Sequence, residues 1–426
     1  MTIRLAVAGG NRGSRFDRVL EGLEGQIELT AVCDPSDRVR AEWTEGRPEI
    51  KAYSAFEDLV EDPEIDAVFI ATPMLLHANQ ALTALNAGKH VLSEVIAATT
   101  LDECYALVET VEKTGLTYMM AENYCYRREA MMVRNMAEQG VFGDLTYAEG
   151  AYIHDCRDLM FNSDLTRTWR GGGPVAGAPE TVATQSSRGN GYPTHSLGPI
   201  AQWLGINRGD RLVRTTTFVT KSAARQEWAR SVLPEGHRDA TDAAWAEFTD
   251  SATTLIETEQ GRVICLRKDS ASPRPHNMAL HSLQGTKGAY ISGRFDGEDP
   301  LVWIDGVSPG VSPSNFGYRD KARPAGPGNE SRAQWQLLWD LADRYEHPYW
   351  KRLGDEAIEV GHGGGDYFVM YDFARAVAGE IDPPIDVYDA VTWSSIFALS
   401  IENVKRNGEP LEVPDFRVAL PRRLRN

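Results

Sequence analysis

From Ile3 to Asn123 the chain alternates short, unbroken apolar runs with stretches whose apolar residues recur every three or four positions. IRLAVAG (3–9), IELTAVCD (27–34), AVFIAT (67–72), HVLSEV (90–95) and TYMMAEN (117–123) read as strands buried on both faces. HANQALTALNAG (77–88) and LDECYALVETVEKTG (101–115) read as helices between them. In the second, Leu101, Tyr105, Val108 and Val111 share a face and Gly115 is a fitting stop. Strands alternating with helices predict an α/β unit over residues 1–123, a doubly wound parallel sheet covered by helices.

The pattern then changes. REAMMVRNMAEQGVFG (128–143) reads as one more amphipathic helix, and DLTYAEGAYIHD (144–155) as a strand that opens a second region. Between 211 and 305 strand-like pieces follow one another, RLVRTTTFVT, TTLIETEQGRVICLRKD, GAYISG and PLVWIDG, with few long helical intervals. That succession predicts a large, mostly antiparallel sheet. Residues 306–332, rich in Gly, Pro, Ser and Asn, read as a long loop, and helical patterns return around 333–346, 366–379 and 388–406. Residues 124–426 are therefore expected to form an α+β second domain.

Charge and cysteine usage narrow the function. A formal net charge of −17 argues against nucleic acid or anionic lipid as a partner. No stretch reaches the ~20 apolar residues of a membrane span, and MTIRLAVAGG runs into a glycine loop before a secretory apolar region could form. Cys33, Cys104, Cys125, Cys156 and Cys265 are scattered, odd in number and without a CxxC pair, which suits a reducing compartment. The expected location is cytoplasmic.

The loop itself, VAGGNRGSR, follows the first strand and precedes FDRVLEGL. Against GxGxxG its three positions are Ala8, Gly10 and Gly13. Gly10 stands where backbone must approach a pyrophosphate, Gly13 where helix packs on strand, and a helix N-terminus offers N–H groups to phosphate. Gly9, Asn11 and Arg12 complete the expected cofactor loop. Asp34 ends the second strand, 21 positions after Gly13, where a carboxylate accepts hydrogen bonds from a ribose and repels a 2′-phosphate. NAD is thus expected rather than NADP. The alternative for Asp34, supported by the PSDR that follows, is a helix N-cap.

Further segments, DAVFIATPMLLHANQALTALNAGKHVLSE and YDAVTWSSIFALSIENVKRNGEPLEVPDF, make the chain resemble the Gfo/Idh/MocA family over nearly its whole length. That resemblance implies an N-terminal Rossmann domain, a C-terminal domain on a large antiparallel sheet, and NAD(P)-dependent chemistry on sugars or cyclitols. It places further cofactor contacts at Thr72, Pro73, His77, Glu94 and Asn123. The family's Glu-Lys-Pro triplet is here Glu94-Val95-Ile96, so the usual lysine is missing. AEGAYIHDCRD, TWRGGG, GYPTHSLGPIAQWLGINRGDR, HSLQGTKG and VGHGGGDYFVMYDF narrow the resemblance to the NAD-dependent α-N-acetylgalactosaminidase branch. By motif its catalytic tyrosine and histidine fall on Tyr152 and His195, with His154, Arg170, Tyr192, His362 and Asp366 facing substrate.

The branch implies redox-neutral glycosidic cleavage. A sugar C3 hydroxyl is oxidised to a ketone, the acidified C2 proton leaves as the C1 oxygen is expelled, water adds, and the hydride returns. A histidine, with an unperturbed pKa near ~6.5, suits the C3 hydroxyl. A tyrosine, near ~10, can act as base at C2 only if neighbours lower its pKa. Plainer alternatives stand beside each assignment. His195 is also a packed residue at a helix start, Tyr152 a strand aromatic in the core, and Arg170 a surface ion-pair partner. Glu94 reads as a structural or nicotinamide-side acceptor. His362 and Asp366 have an i, i+4 spacing that fits a metal, yet the glycines between them favour a substrate loop, and no metal is expected. The competing activities are a sugar or cyclitol dehydrogenase that releases its keto product and a cofactor-binding sensor without turnover. A large open sheet also predicts a homo-oligomer.

Overall fold

Strand β1 (Ile3–Ala8) carries an almost wholly buried sequence, so both of its faces need cover. The cover comes from helices on either side of a six-stranded sheet completed by β2 (Ile27–Cys33), β3 (Lys51–Tyr53), β4 (Ala67–Ile70), β5 (His90–Ser93) and β6 (Tyr118–Met120). The spatial order is β3-β2-β1-β4-β5-β6 and every pairing is parallel. The order reverses between β1 and β4, and the crevice at such a switch point is where ligands of open α/β sheets bind. The structure, a computed structural model, describes residues 2–178, 188–275, 279–295, 297–309 and 334–418. Among the described residues no helix is long and apolar enough to cross a membrane.

The second sheet has nine strands. They are β7 (Leu145–Ile153), β8 (Leu212–Val219), β9 (Ser251–Thr258), β10 (Val263–Asp269), β11 (Ala279–Gly285), β12 (Gly288–Ile291), β13 (Leu301–Ile304), β14 (Gln336–Leu337) and β15 (Leu411–Glu412). Their order is β14-β13-β12-β11-β7-β10-β9-β8-β15, and all pairings are antiparallel except β7 with β10. The helix Val387–Lys405 packs against both β8 and the helix Leu101–Thr114, burying Trp393, Ile396 and Phe397. Ser394 Oγ in it accepts from the Ala97 amide at 3.0 Å, tying the two sheets together. The helix Leu101–Thr114 starts in a capping box of Thr100 and Glu103 and stops at Gly115.

Several expectations change in detail. A helix, Ala223–Val232, interrupts the region read as strands alone; its Arg225 is fully buried and donates to the Thr249 carbonyl and Ser270 Oγ. In place of one helix over 333–346 there is β14, two short turns over 338–345, and then the helix Pro348–Ile358, opened by proline in its first turn. The edge strand β3 has no apolar alternation to betray it, because Lys51 and Ala52 are exposed and the polar ends of Lys51 and Tyr53 turn to Asp62. The loop expected over 306–332 lies, from residue 310 on, outside the described residues.

The element that matters most for the site is the helix Thr194–Leu204, laid on β7 and β11. It approaches so closely that a Cβ on Gly150 of β7 would come within 2.4 Å of the Ser196 carbonyl oxygen. On its other flank a Cβ on Gly198 would meet Glu122 Cγ at 2.9 Å and Cys125 Sγ at 3.0 Å. Replacing Gly150 by Ala is expected to lift the first turn of this helix, costing about 1–3 kcal/mol of stability. Chemical denaturation checks that loss, and turnover is expected to fall with it because His195 rides on that turn.

Candidate functional site

A cavity of about 880 Å³ is walled by residues from both halves of the chain. Arg12, Glu94 and Asn123 come from the ends of the first sheet; Tyr152, His154, Arg170, Tyr192, His195, His362 and Asp366 come from the second region. Tyr152 is placed by β7, whose alternation turns it inward, and His154 follows just past the strand end. Arg170 lies over the Trp169 ring, 4.4 Å from its centroid.

His195 sits in the first turn of its helix, 5% exposed, with Nδ1 2.6 Å from Glu122 Oε1. Glu122 is wholly buried; its Oε1 also accepts from the Tyr124 amide, and its Oε2 has no partner. A carboxylate there holds the proton on Nδ1 and turns a lone pair on Nε2 away from it, the tautomer of a general base. His195 is thus packed at a helix start with Nε2 turned away from Glu122. Tyr124, Tyr192 and Tyr152 surround the imidazole, with ring centroids 4.3, 4.9 and 5.0 Å away. Behind it His281, whose imidazole burial pulls down to about 4, donates from Nε2 to the His195 carbonyl at 3.1 Å.

Tyr152 differs from expectation. Burial, with Tyr192 next, pushes its phenol well above the usual value, and Arg170 only partly opposes them. The phenol is therefore a held acid, and its oxygen lies 2.7 Å from His154 Nδ1. With the proton kept on oxygen, the hydroxyl donates and the imidazole accepts.

The remaining charges form a chain across the cavity. Arg12 Nε donates to Glu94 Oε1 at 2.6 Å, and its Nη2 lies 3.9 Å from Asp366 Oδ1. Asp366 Oδ1 accepts from Asn123 Nδ2 at 2.8 Å, and Oδ2 is 2.8 Å from His362 Nδ1. Burial works to raise the Asp366 carboxyl, but His362, Arg12 and Asn123 outweigh it and hold it below the usual range. His362 and Asp366 spend their i, i+4 spacing on each other, and among the described residues no group of three or more His, Cys, Asp or Glu could hold a metal. Val95, at the place of the family's lysine, is buried, so the cation beside Glu94 is Arg12.

The glycine loop fits a dinucleotide. Gly9 has φ +94, and a Cβ on it would strike the Ala71 carbonyl, so only glycine allows the loop to lie between β1 and β4. The Gly10 amide donates to Asp34 Oδ2 at 2.9 Å, while the exposed Asn11 and the Arg12 amides of that first turn have no earlier acceptor in the helix. Asp34 is not the helix cap: Ser36 caps Asp37–Thr44, and Asp34 Oδ1 accepts from the Ser36 amide. Each Asp34 oxygen keeps a second lone pair for a ribose hydroxyl. A Cβ on Gly10 would meet Val39 and Trp43, and one on Gly13 would meet Val7, so the space denied at both is taken by protein.

The predicted cofactor contacts at the end of β4 divide. Thr72 and Pro73 are half-buried beside the loop, and Thr72 Oγ1 donates to Gln80. His77 is 1% exposed, with both ring nitrogens at 2.8 Å from the carbonyls of Ile96 and Thr72, so it braces the backbone and does not reach the cavity. Sequence reasoning missed Glu122 and Tyr124, although a carboxylate directly after the apolar strand YMMA was a signal. It also missed Ser14, Arg15 and Arg18, which line the cavity just past the glycines of the loop.

Residues 3–122 match the model of the oxidoreductase family with an NAD-binding Rossmann fold, and residues 126–419 match the glycosyl hydrolase 109 C-terminal domain. A glycosyl hydrolase family 109 protein of Saccharopolyspora erythraea is 36% identical over 97% of this chain and 83% of its own length. One from Stenotrophomonas maltophilia is 34% identical over 97% and 89%. Among solved structures, levoglucosan dehydrogenase in complex with NADH superposes with a TM-score of 0.72 at 18% identity, over 97% of this chain and 100% of that one, which shows the shared fold.

Two outcomes are expected of these contacts. Glu122→Gln should lower kcat about 100- to 10,000-fold, with KM and NAD affinity nearly unchanged, in steady-state kinetics and cofactor titration. His281 is neutral when folded and takes a proton when unfolded, so the unfolded state binds more protons between its folded value of about 4 and an unfolded value near ~6.5. Stability should therefore fall as pH drops through that window, and His281→Gln should flatten that part of the urea-midpoint profile.

Proposed function

This chain belongs to glycosyl hydrolase family 109, and we propose that Tyr152 and His195 are the proton carriers with which it cleaves glycosides through a transient sugar ketone. The single observation that carries the assignment is their meeting in one cavity, 5.0 Å apart, each backed by its own partner: Glu122 behind His195 and His154 behind Tyr152. The enzyme is NAD-dependent. The loop Gly9–Gly13 with Asp34 would hold the cofactor, Arg12, Glu94 and Asn123 would be available to it at the cavity, and it would supply a reversible hydride acceptor for the sugar.

The chain's own residues move the protons. His195 Nε2 takes the proton of the C3 hydroxyl as that carbon is oxidised, and Glu122 stabilises the imidazolium formed. The C2 proton, acidified by the neighbouring ketone, passes to the Tyr152 oxygen while the phenol's own proton passes to His154 Nδ1. A phenol held so far above its usual value becomes an effective base only through such a relay, since it never has to persist as phenolate. Loss of the C2 proton expels the glycosidic oxygen, which takes a proton from solvent and leaves as an alcohol. Water then adds its oxygen at C1 and gives its proton back to solvent. C2 regains a proton through Tyr152, and the C3 oxygen regains one from His195 as the ketone is reduced. Arg170, Tyr192, Asp366 and His362 are placed to hydrogen-bond the sugar. The motif resemblance points to N-acetylgalactosamine as that sugar.

Five free thiols, four of them buried, support a reducing, cytoplasmic setting. Phe218, Leu255 and Val263 stand exposed on the second sheet, which supports a homo-oligomer that covers them.

Purified protein should hydrolyse an aryl α-N-acetylgalactosaminide without added cofactor and without accumulating NADH, followed by aglycone release and nicotinamide absorbance. Stoichiometric NADH would instead establish a dehydrogenase. His195→Ala should lower turnover about a thousandfold.

A further inference from the structure

One wall of the cavity carries charge that the chemistry above does not use. Just past the glycine loop the chain makes the single turn Ser14–Phe16 and enters the short helix Asp17–Glu21. Phe16 anchors that turn. Its buried ring meets Phe69 of β4 edge-on, centroids 4.6 Å apart, and the Arg12 guanidinium lies over it at 4.9 Å. Residues three apart on a helical turn share a face, so Arg15 and Arg18 stand side by side, both exposed and both lining the cavity.

The two guanidiniums have no ion-pair partner among the described residues. Asp17 stands between them in sequence, yet both its oxygens accept from Arg47 Nη1, at 2.8 and 3.0 Å. Glu21, three positions past Arg18, makes no pair with it. Elsewhere the same helical spacing is used: Arg134 pairs with Glu138 and Arg406 with Glu402.

A lone surface arginine is served by water anywhere, so the place of this pair is what matters. Four arginines and three carboxylates line the cavity, in a chain whose formal net charge is −17. Arg12 is already held by Glu94 at 2.6 Å and has Asp366 at 3.9 Å. Glu359, exposed on the cavity wall, pairs with neither Arg15 nor Arg18. The positive excess therefore rests on Arg15 and Arg18, beside the space where the sugar is processed. The cofactor's phosphates have their own expected place earlier in the chain, at the amides of the loop Gly9–Gly13.

We propose that Arg15 and Arg18 receive a phosphate monoester carried by the substrate, so that the glycoside processed beside His195 is a phosphorylated one. The inference rests on the glycosidase reading. Planar guanidiniums present paired N–H donors that match the oxygens of a phosphate dianion, and such charge-assisted bonds are stronger than those to a neutral hydroxyl.

The test uses the NAD-loaded protein and three aryl glycosides of N-acetylgalactosamine: neutral, phosphorylated at the C6 oxygen, and phosphorylated on the aglycone. The parent should favour one phosphorylated form by about tenfold or more in kcat/KM. The double variant Arg15→Gln, Arg18→Gln should abolish that preference through KM, leaving the neutral glycoside unchanged, and added salt should shrink it in the parent. Calorimetric titration of inorganic phosphate and of N-acetylgalactosamine 6-phosphate into His195→Ala protein should give binding that the double variant removes. No preference for either phosphorylated form, or one that survives the double variant, overturns the proposal. A drop in NAD affinity with equal losses on all three glycosides also overturns it, by giving the arginines to the cofactor. If the parent cleaves none of the three the glycosidase reading fails, and the titrations still decide whether the pair holds phosphate.

Discussion

The helix Thr194–Leu204 can lie where it does because two residues at its contacts, one on β7 and one within the helix, lack side chains. Gly150 lets its first turn rest against β7, and Gly198 lets its flank pass Glu122 and Cys125. That seating brings an imidazole on the first turn within 2.6 Å of a carboxylate 73 positions earlier in the chain. Both groups are buried, where an unpaired charge or donor costs far more than in water. Once the helix is seated, the tautomer of His195 and the direction of its free nitrogen follow.

A second constraint couples the halves electrostatically. Arg12 belongs to the glycine loop, Glu94 to the end of β5, and Asp366 to the helix Gly365–Val377. Removing any one would leave a neighbour charged and poorly solvated, so the network specifies an arrangement more than it adds stability. It also joins the residues expected to meet the cofactor with those expected to meet the sugar, through Asp366 and its partners Asn123 and His362. The two proposed proton carriers contrast with each other: His195 meets the Glu122 carboxylate, whereas Tyr152 is buried with its hydroxyl on His154 Nδ1, and the two rings lie 5.0 Å apart.

Much of the fold was legible along the chain. The strands around Val7, Val32, Phe69 and Leu92 show as unbroken apolar runs because a parallel sheet hides both faces, and the helix Leu101–Thr114 ends at the stop read at Gly115. What was not legible had a weak local signal or stood in a misleading context. β3 is a three-residue edge strand with Lys51 and Ala52 exposed, the helix Ala223–Val232 has helix-forming residues but lies between segments that read as strands, and Gln336–Leu337 is too short to show a period. In the site, Tyr152 and His195 came from motifs, whereas Glu122 looked like the polar end of a strand. His77 carried a motif but proved to spend both nitrogens on backbone.

The sequence by itself determined the two-sheet architecture, the nucleotide loop with its acidic partner, and the residue types able to shuttle protons. These are local properties, written in periodicity, glycine placement and side-chain chemistry. Only the tertiary structure decided which nitrogen of His195 faces the cavity, that the Tyr152 phenol is held protonated, and that His154 stands ready behind it. The His195 outcome depends on a carboxylate 73 residues earlier, and the Tyr152 outcome on burial by residues from many elements. Even the short-range contact with His154 forms where the chain leaves β7, and desolvation acts on a group only after the whole chain has closed around it.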